Sequence, residues 1–391
     1  MSVLWTELDE WRIDVMPKIQ GENINWARPR CPIEEVLFEV PNLPVSMSCV
    51  DESFASEKDF IADMQFGVDP VSGTIQSMNR MPTDLVYLEP HNACVGKTWQ
   101  RHHQAFAEFI LRQPLENKVI YEIGGGDGYL ASLCIDKVKR WHIIEPNPPA
   151  NRFEHFDVVY HKGYYPEVPI VGADVVVHSN LLEHIRDPRK FLNDLMNVPV
   201  QMMSVPQFEY AMNLGNPSIL NFEHENALTC DVLRQLFHVC GYNIADMVNH
   251  NNFTWFYEIH KVSPAVTNVL VGDSSYASAS TLLLTYKDKL TEEASRLQAM
   301  LEGVEGPFYF FGAHIFYTML RSLGLTAAFD GLLDNSPLKI GKRLYGTDLM
   351  VSSPEIIQVI KEPVIVVPKT PYQAEMVEQV KSLNLGAAIV C

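Results

Sequence analysis

The chain has 391 residues, 47% of them apolar and 20% charged, the make-up of a globular protein long enough for two or three domains. A formal net charge of -18 argues against a general nucleic-acid binder, because affinity for polyanions rests on lysine and arginine neutralising phosphates. Met1 to Gln20 scatters acids and bases among apolar residues, unlike a signal peptide, and no run of about 20 apolar residues occurs, so a cytoplasmic protein without a membrane span is expected.

Residues 1–100 form an irregular first region with proline-bearing stretches such as Pro41-Asn-Leu-Pro44. Cysteines stand at 31, 49, 94, 134, 230, 240 and 391, odd in number and widely spaced, with no Cys-x-x-Cys pair. Free thiols are expected, without a disulfide framework or a ribbon-type zinc site. From 101 to 262, strands near 119, 141, 157, 174 and 200 alternate with helical segments, and a helix is expected near 230–240. This alternation predicts an α/β fold with a parallel sheet. The third region, 263–391, opens with a helix from Ala277 to about Leu301. Its Leu283, Tyr286, Leu290, Ala294, Leu297 and Leu301 make one apolar stripe that covers a core or joins domains. Pro307-Phe-Tyr-Phe-Phe-Gly312 then leads into a helix, and Ala327 to Asp334 reads as a second strand ending in an acid. This predicts a smaller Rossmann-like unit without the glycine pair that admits a pyrophosphate.

The most informative segment is Val119-Ile-Tyr-Glu-Ile-Gly-Gly-Gly-Asp-Gly128, a buried strand that breaks into a glycine-rich turn opening a helix. Gly124, Gly126 and Gly128 let the backbone turn sharply and approach a ligand closely. Trp141-His-Ile-Ile-Glu145 follows as a second strand ending in a carboxylate, which is where nucleotide-binding doubly wound folds place the acid that grips a ribose.

Chemistry-bearing side chains gather in three further places. Ser218-Ile-Leu-Asn-Phe-Glu-His-Glu-Asn226 follows the fifth strand of this region. A neutral imidazole suits general-base work at cellular pH, so His224 is the candidate base with Glu223 fixing its orientation; a structural, hydrogen-bonded His224 is the alternative. Val175-Val-Val-His-Ser-Asn-Leu-Leu-Glu-His184 follows the fourth strand, making Asn180 and His184 pocket candidates, with helix capping and surface exposure as their other readings. Trp99-Gln-Arg-His-His103 precedes an apolar helix; two adjacent histidines point to different faces, and His103 is the candidate. The densest basic cluster, Lys339-Ile-Gly-Lys-Arg343, makes Lys342 and Arg343 candidates for a substrate phosphate, a solvated turn being the alternative.

The pattern Glu122-x-Gly-x-Gly-x-Gly128 resembles the first motif of class I S-adenosylmethionine (SAM)-dependent methyltransferases, and its glycine offsets differ from the Gly-x-Gly-x-x-Gly of nicotinamide sites. Over most of the chain the order of elements resembles the sugar C-methyltransferases of deoxysugar pathways, which join an N-terminal zinc module, a SAM-binding domain and a C-terminal Rossmann-like domain. The matching pieces are His102-His103, Glu122 to Gly128, Asn180 to His184, Glu223-His224, Gly312-Ala313, Leu333 to Lys339 and Tyr345-Gly-Thr347. The resemblance implies a mostly parallel class I sheet closed by an antiparallel hairpin, Tyr242 to Met247 against Thr254 to Val262. It also implies SAM held by Glu122, Gly124, Gly126, Gly128, Glu145 and Asn180. The implied reaction is methyl transfer to a sugar or nucleotide-linked sugar, with His224 as base aided by Glu223 and His184, in a monomer or homodimer.

Two departures stand out. Asn221 and Phe222 fall where the family has a tyrosine and a histidine, which moves weight from a carbon acceptor toward oxygen or nitrogen and leaves both open. Val68-Asp-Pro-Val-Ser-Gly73 replaces Cys-x-x-Cys-Gly, so no zinc is expected, Cys31, Cys49 and His91 being the ligands left. Turnover is expected to rise with pH through the ordinary imidazole range. The rival function is a nicotinamide-dependent oxidoreductase or nucleotide-binding protein built on the 312–334 unit.

Overall fold

A computed structural model describes residues 33–87, 97–262, 273–370 and 372–391. Among these, the strands form sheets of four, seven and five strands and one two-stranded pair.

The first region, expected to be irregular, is instead a sheet, because long-range pairing and not local periodicity makes its strands: β1 (Phe38–Pro44), β2 (Cys49–Val50), β3 (Ile61–Val68) and β4 (Ile75–Ser77), followed by the short helix α1 (Thr83–Val86). β1 pairs antiparallel with β3, and β3 with β4. Alternation sends Phe38, Val40, Met64 and Phe66 into one core. Asp69 and Ser72, where the resembling family has its cysteine pair, close the 69–74 turn by hydrogen bonds. Ser72 Oγ donates to Asp69 Oδ2 at 2.8 Å, the Val71 N–H donates to Asp69 Oδ1 at 2.8 Å, and Gly73 takes φ +71°. Cys49 is buried; Cys31 and His91 lie outside the described residues.

The second region comprises α2 (Lys97–Ile110), β5 (Val119–Ile123), α3 (Tyr129–Cys134), β6 (Arg140–Glu145), β7 (Val158–Lys162), β8 (Val175–Ser179), α4 (Pro188–Asp194), β9 (Val200–Pro206), α5 (Phe208–Leu214), β10 (Asn226–Ala227), α6 (Cys230–Val239), β11 (Tyr242–His250) and β12 (Thr254–Lys261). The seven-stranded sheet runs β11-β12-β9-β8-β5-β6-β7. Its five strands from β9 to β7 are parallel, and β12 and β11 close it antiparallel. β5 and β8 read as near-continuous apolar runs, interrupted by Glu122 and His178, because both faces are covered. Phe106, Phe109 and Ile110 of α2 and Leu130 of α3 pack one face against Trp141, Val175 and Met202. Phe191 of α4 and Leu233 and Leu236 of α6 pack the other against Tyr121, Val176 and Met203. β10 leaves this region altogether. It becomes the fourth strand of the first sheet, pairing Asn226 with Gln76 and Ala227 with Ile75, so the first region grips the loop that carries Glu223 and His224. Arg80 adds an ion pair to Glu225 at 2.7 Å.

The third region begins with α7 (Asp273–Leu301), whose stripe Leu283, Tyr286, Leu290, Ala294, Leu297 and Leu301 is buried throughout. The upper half of the stripe packs into the core of the first region and the lower half into that of the third, so α7 joins the two. Then come β13 (Phe308–Phe311), α8 (Ile315–Ser322), β14 (Gly331–Leu333), β15 (Arg343–Leu344), β16 (Val351–Ser352), β17 (Val364–Val366), α9 (Gln373–Leu383) and β18 (Ala388–Val390). The sheet β16-β14-β13-β17-β18 is parallel, as the Rossmann-like reading expects. Asp334 accepts from the Ala313 and Ser336 N–H groups at 3.1 and 2.9 Å and from Lys339 Nζ at 3.1 Å. The acid that would grip a ribose in a dinucleotide site is thus engaged within the chain.

The structure corrects the reading of the basic cluster. β15 pairs antiparallel with β2, which draws Arg343 into the interior. Its guanidinium meets Asp59 in a two-pronged ion pair at 2.6 and 3.1 Å, with 7% and 5% of the two side chains exposed, and donates further to the Phe54 and Thr347 carbonyls. Arg343 is a clasp between the first and third regions and is not available to a phosphate. Lys342 is half-buried beside it, so the two do not act as a unit.

Candidate active site

Both halves of the site lie at the carboxyl ends of the parallel strands, where doubly wound sheets meet their ligands. In the turn after β5, Gly124, Gly126 and Gly128 have φ of +76°, +53° and +79°. A Cβ on Gly128 would sit 2.2 Å from the Tyr160 hydroxyl, so this glycine is required by packing. A Cβ on Gly126 would meet nothing within 4 Å, so this glycine borders open space. The turn can receive a ligand at Gly126.

Glu122 does a different job from the one expected. It is 3% exposed, lies beneath the turn and accepts from Trp141 Nε1 at 2.8 Å. Burial pushes its carboxyl up to about 7. It supports Gly125, whose Cβ would collide with it at 2.8 Å, from beneath the turn. Glu145 ends β6 half-buried; Oε2 accepts the Gly126 N–H at 3.1 Å and Oε1 the Asn147 N–H at 3.0 Å. Each carboxylate oxygen has a second lone pair, so Glu145 can fix the turn and still accept from vicinal hydroxyls.

Asn180 follows β8 with φ +47°, its Oδ1 accepting from Ser204 Oγ at 2.7 Å. Ser204 Oγ lies 3.2 Å from His102 Nε2. His102, on α2, is buried against Phe256, and burial holds its imidazole well below the ordinary range. Of the adjacent pair, then, His102 reaches inward to the Asn180 network, a contact the sequence did not reveal. His103 donates from Nδ1 to the Trp99 carbonyl at 3.0 Å and lies against Tyr129, the first residue of α3.

The second half of the site starts one residue past Asn180. Leu181 stands 3.5 Å from where a Gly124 Cβ would be, which brings the two loops side by side. A 3-10 turn, Leu182–His184, follows. His184 Nδ1 donates to the Glu223 carbonyl at 3.0 Å and is 3.1 Å from the Tyr87 hydroxyl. His224 Nδ1 donates to the Ile219 carbonyl at 2.7 Å. Donation from Nδ1 leaves the Nε2 lone pair as the basic atom of each neutral ring. The rings are 4.9 Å apart. Asn221, where the family has tyrosine, holds this loop by accepting the Glu223 and His224 N–H groups at 2.7 and 3.0 Å, while Phe222 is buried in the first-region core.

Electrostatics correct one further expectation. Desolvation drives His224 down to about 3, His184 adding to the shift, so its imidazole stays neutral across the physiological range. A rate limb in the ordinary histidine range does not belong to His224. Glu183 is a further member of this site that the sequence pattern does not single out. It is 1% exposed, and neither carboxylate oxygen has a hydrogen-bond partner on another described residue, its own backbone N–H being the one donor that favours the ionised form. Burial raises it to about 8. Its carboxylate and one nitrogen from each of His184 and His224 all lie within 4.8 Å of one another. The only available signal was position: an acid directly after a strand end, beside a histidine.

The seven-stranded sheet with its closing hairpin and this edge define a protein with the class I methyltransferase fold. No protein-family model matches the chain. A Mycolicibacterium smegmatis protein named as a probable S-adenosylmethionine-dependent methyltransferase is 25% identical over 159 residues, 38% of this chain. The match spans 60% of that relative's length. Among solved structures, the chain is similar to a SAM-dependent methyltransferase from Aquifex aeolicus, with 13% identity, 40% of this chain and 89% of that one covered, and a TM-score of 0.33. It is similar also to the Burkholderia thailandensis 1,6-didemethyltoxoflavin-N1-methyltransferase, with 14% identity, 42% and 78% covered, and a TM-score of 0.34. Among the described residues no helix is long and apolar enough to cross a membrane.

Proposed function

We propose that the chain is a SAM-dependent methyltransferase whose acceptor is a sugar or nucleotide-linked sugar, with His224 as the proton acceptor. The observation that carries this reading is the meeting of two loops at one sheet edge. The turn at Gly124 to Gly128 with Glu145 lies on one side, and His184, Glu223 and His224 lie on the other, with Asn180 and Leu181 between them. Bound SAM supplies an already activated methyl group, so the protein has only to align the acceptor and remove its proton. Open space at Gly126 and the spare lone pairs of Glu145 suit its amino-acid portion and ribose. His224, held by Ile219 and Asn221, presents Nε2 to the acceptor, and Glu223 and His184 frame it. Asn221 cannot supply the phenol that would steady an enolate, and a hydroxyl acceptor fits this site as well as an activated carbon.

The test is mass spectrometry of the purified protein incubated with SAM and a panel of nucleoside-diphosphate sugars, including 4-keto sugars. A methylated sugar together with S-adenosylhomocysteine is expected. Binding of NAD without binding of SAM in calorimetry would overturn the reading in favour of an oxidoreductase. In the same calorimetry, Glu145→Ala is expected to weaken SAM by about 2 kcal/mol, since two ribose hydroxyls lose an ionised acceptor. Unchanged affinity would remove Glu145 from the cofactor site.

A further inference from the structure

Resting on the reading of His224 as the proton acceptor, we infer that Glu183 is the counter-charge of the His184–His224 pair, a carboxylate that must be ionised before the pair can take up a proton. Three observations carry this. Glu183 is almost wholly buried, yet neither of its oxygens meets a partner on another described residue, and only its own backbone N–H favours the ionised form. A buried acid in that condition is costly unless a positive charge arrives beside it. The carboxylate lies within 4.8 Å of a nitrogen of both histidines, the reach of one bridging water.

Among the described residues, the elements packed on this turn do not supply the charge balance. The strands packed against the Leu182–His184 turn are β9 and β10, and neither carries an ionisable side chain. From the 219–225 loop come Glu223, His224 and Glu225; Glu225 is paired with Arg80, Glu223 meets His184 through its backbone carbonyl, and the Glu223 carboxylate favours the charged form of His224. Tyr87 faces the cluster from the turn after α1, and the nearby acids Glu223 and Glu183 reinforce burial in raising its phenol. On its own element the neighbour is His184. When the acceptor's proton moves to Nε2 of His224, the acceptor keeps the bonding pair and the ring becomes an imidazolium. An ionised Glu183 neutralises it; a protonated Glu183 leaves a bare buried cation. With Glu183 held at about 8, the competent form grows as pH rises toward that value.

Histidine-selective NMR of the full-length protein labelled at its imidazoles tests this without any acceptor, the two signals being assigned with His184→Asn and His224→Asn. In the wild type both resonances should inflect near pH 8, and in Glu183→Gln that inflection should vanish. Melting checks the same titration. A folded-state value above the ordinary 4.5 means that wild type loses stability relative to Glu183→Gln as pH rises from 4.5 to about 8, with a constant gap beyond. With an acceptor in hand, Glu183→Gln should lower turnover tenfold or more and flatten the pH profile, SAM affinity staying unchanged and Glu183→Asp restoring part of the rate.

Identical imidazole titrations in wild type and Glu183→Gln would overturn the proposal. So would elemental analysis finding one tightly held divalent metal per chain that is lost in the variant, which would make Glu183 a ligand. Failure of every nucleotide sugar as acceptor would strike the function proposed above and leave the NMR result standing. Full turnover in His224→Asn would remove the base and this proposal's catalytic consequence together.

Discussion

Replacing His224 with asparagine is expected to lower methyl transfer about a hundredfold or more while SAM affinity stays at the wild-type value. Positioned acid-base groups contribute about that much, and the His224 ring is positioned on every side. Nδ1 is held by Ile219, the backbone N–H by Asn221, and the ring edge by Phe208 and His184. Asparagine keeps a polar group near Ile219 but has no basic lone pair to offer. Glu223→Gln should cost less, because its contact with His184 is through the backbone carbonyl and survives the substitution. Since desolvation keeps the ring neutral down to about 3, wild-type turnover between pH 6 and 9 should follow a different group. Turnover in His224→Asn equal to that of wild type in a coupled S-adenosylhomocysteine assay would exclude the assignment.

The largest effect on stability is expected from Arg343→Ala, about 3–5 kcal/mol, because it strands Asp59 as a buried charge. Lost with it are donations to the Phe54 and Thr347 carbonyls, so the clasp between β2 and β15 loosens as well. Urea denaturation is the measurement. A double variant that replaces both partners with apolar residues of similar volume should recover much of the loss, since no charge is then left unpaired. A change in substrate KM at wild-type stability would restore the phosphate-binding role that the sequence suggested for this arginine.

The α/β architecture was legible because it rests on local information. β5 and β8 are short apolar runs, the turn after β5 carries glycines where φ must be positive, and α7 repeats its apolar residues at helical spacing over its whole length. The parallel third sheet was legible for the same reason. That β6 ends in an acid beside the glycine turn was legible too, since a strand end and its distance from that turn are properties of the chain alone.

What the chain order could not decide was which of two similar side chains would be buried and what would stand opposite it. Glu122 and Glu145 both sit at or near strand ends, but the pleat sends the first under the turn toward Trp141 and leaves the second at the edge. Lys342 and Arg343 are adjacent basic residues, and only the pairing of β15 with β2 spends one of them on Asp59, 284 residues away in sequence. Nothing in the chain order marks Glu183; the crossing of β10 into the first sheet brings His224 to it. Periodicity, glycine placement and strand-end acids are encoded within a few residues of one another, so the sequence by itself determined the two parallel sheets and the glycine turn, but not the four-stranded sheet of the first region. Burial, and with it charge state, depends on atoms contributed from distant parts of the chain, so only the tertiary structure decided that His224 stays neutral, that Arg343 is a clasp and that Glu183 faces two imidazoles.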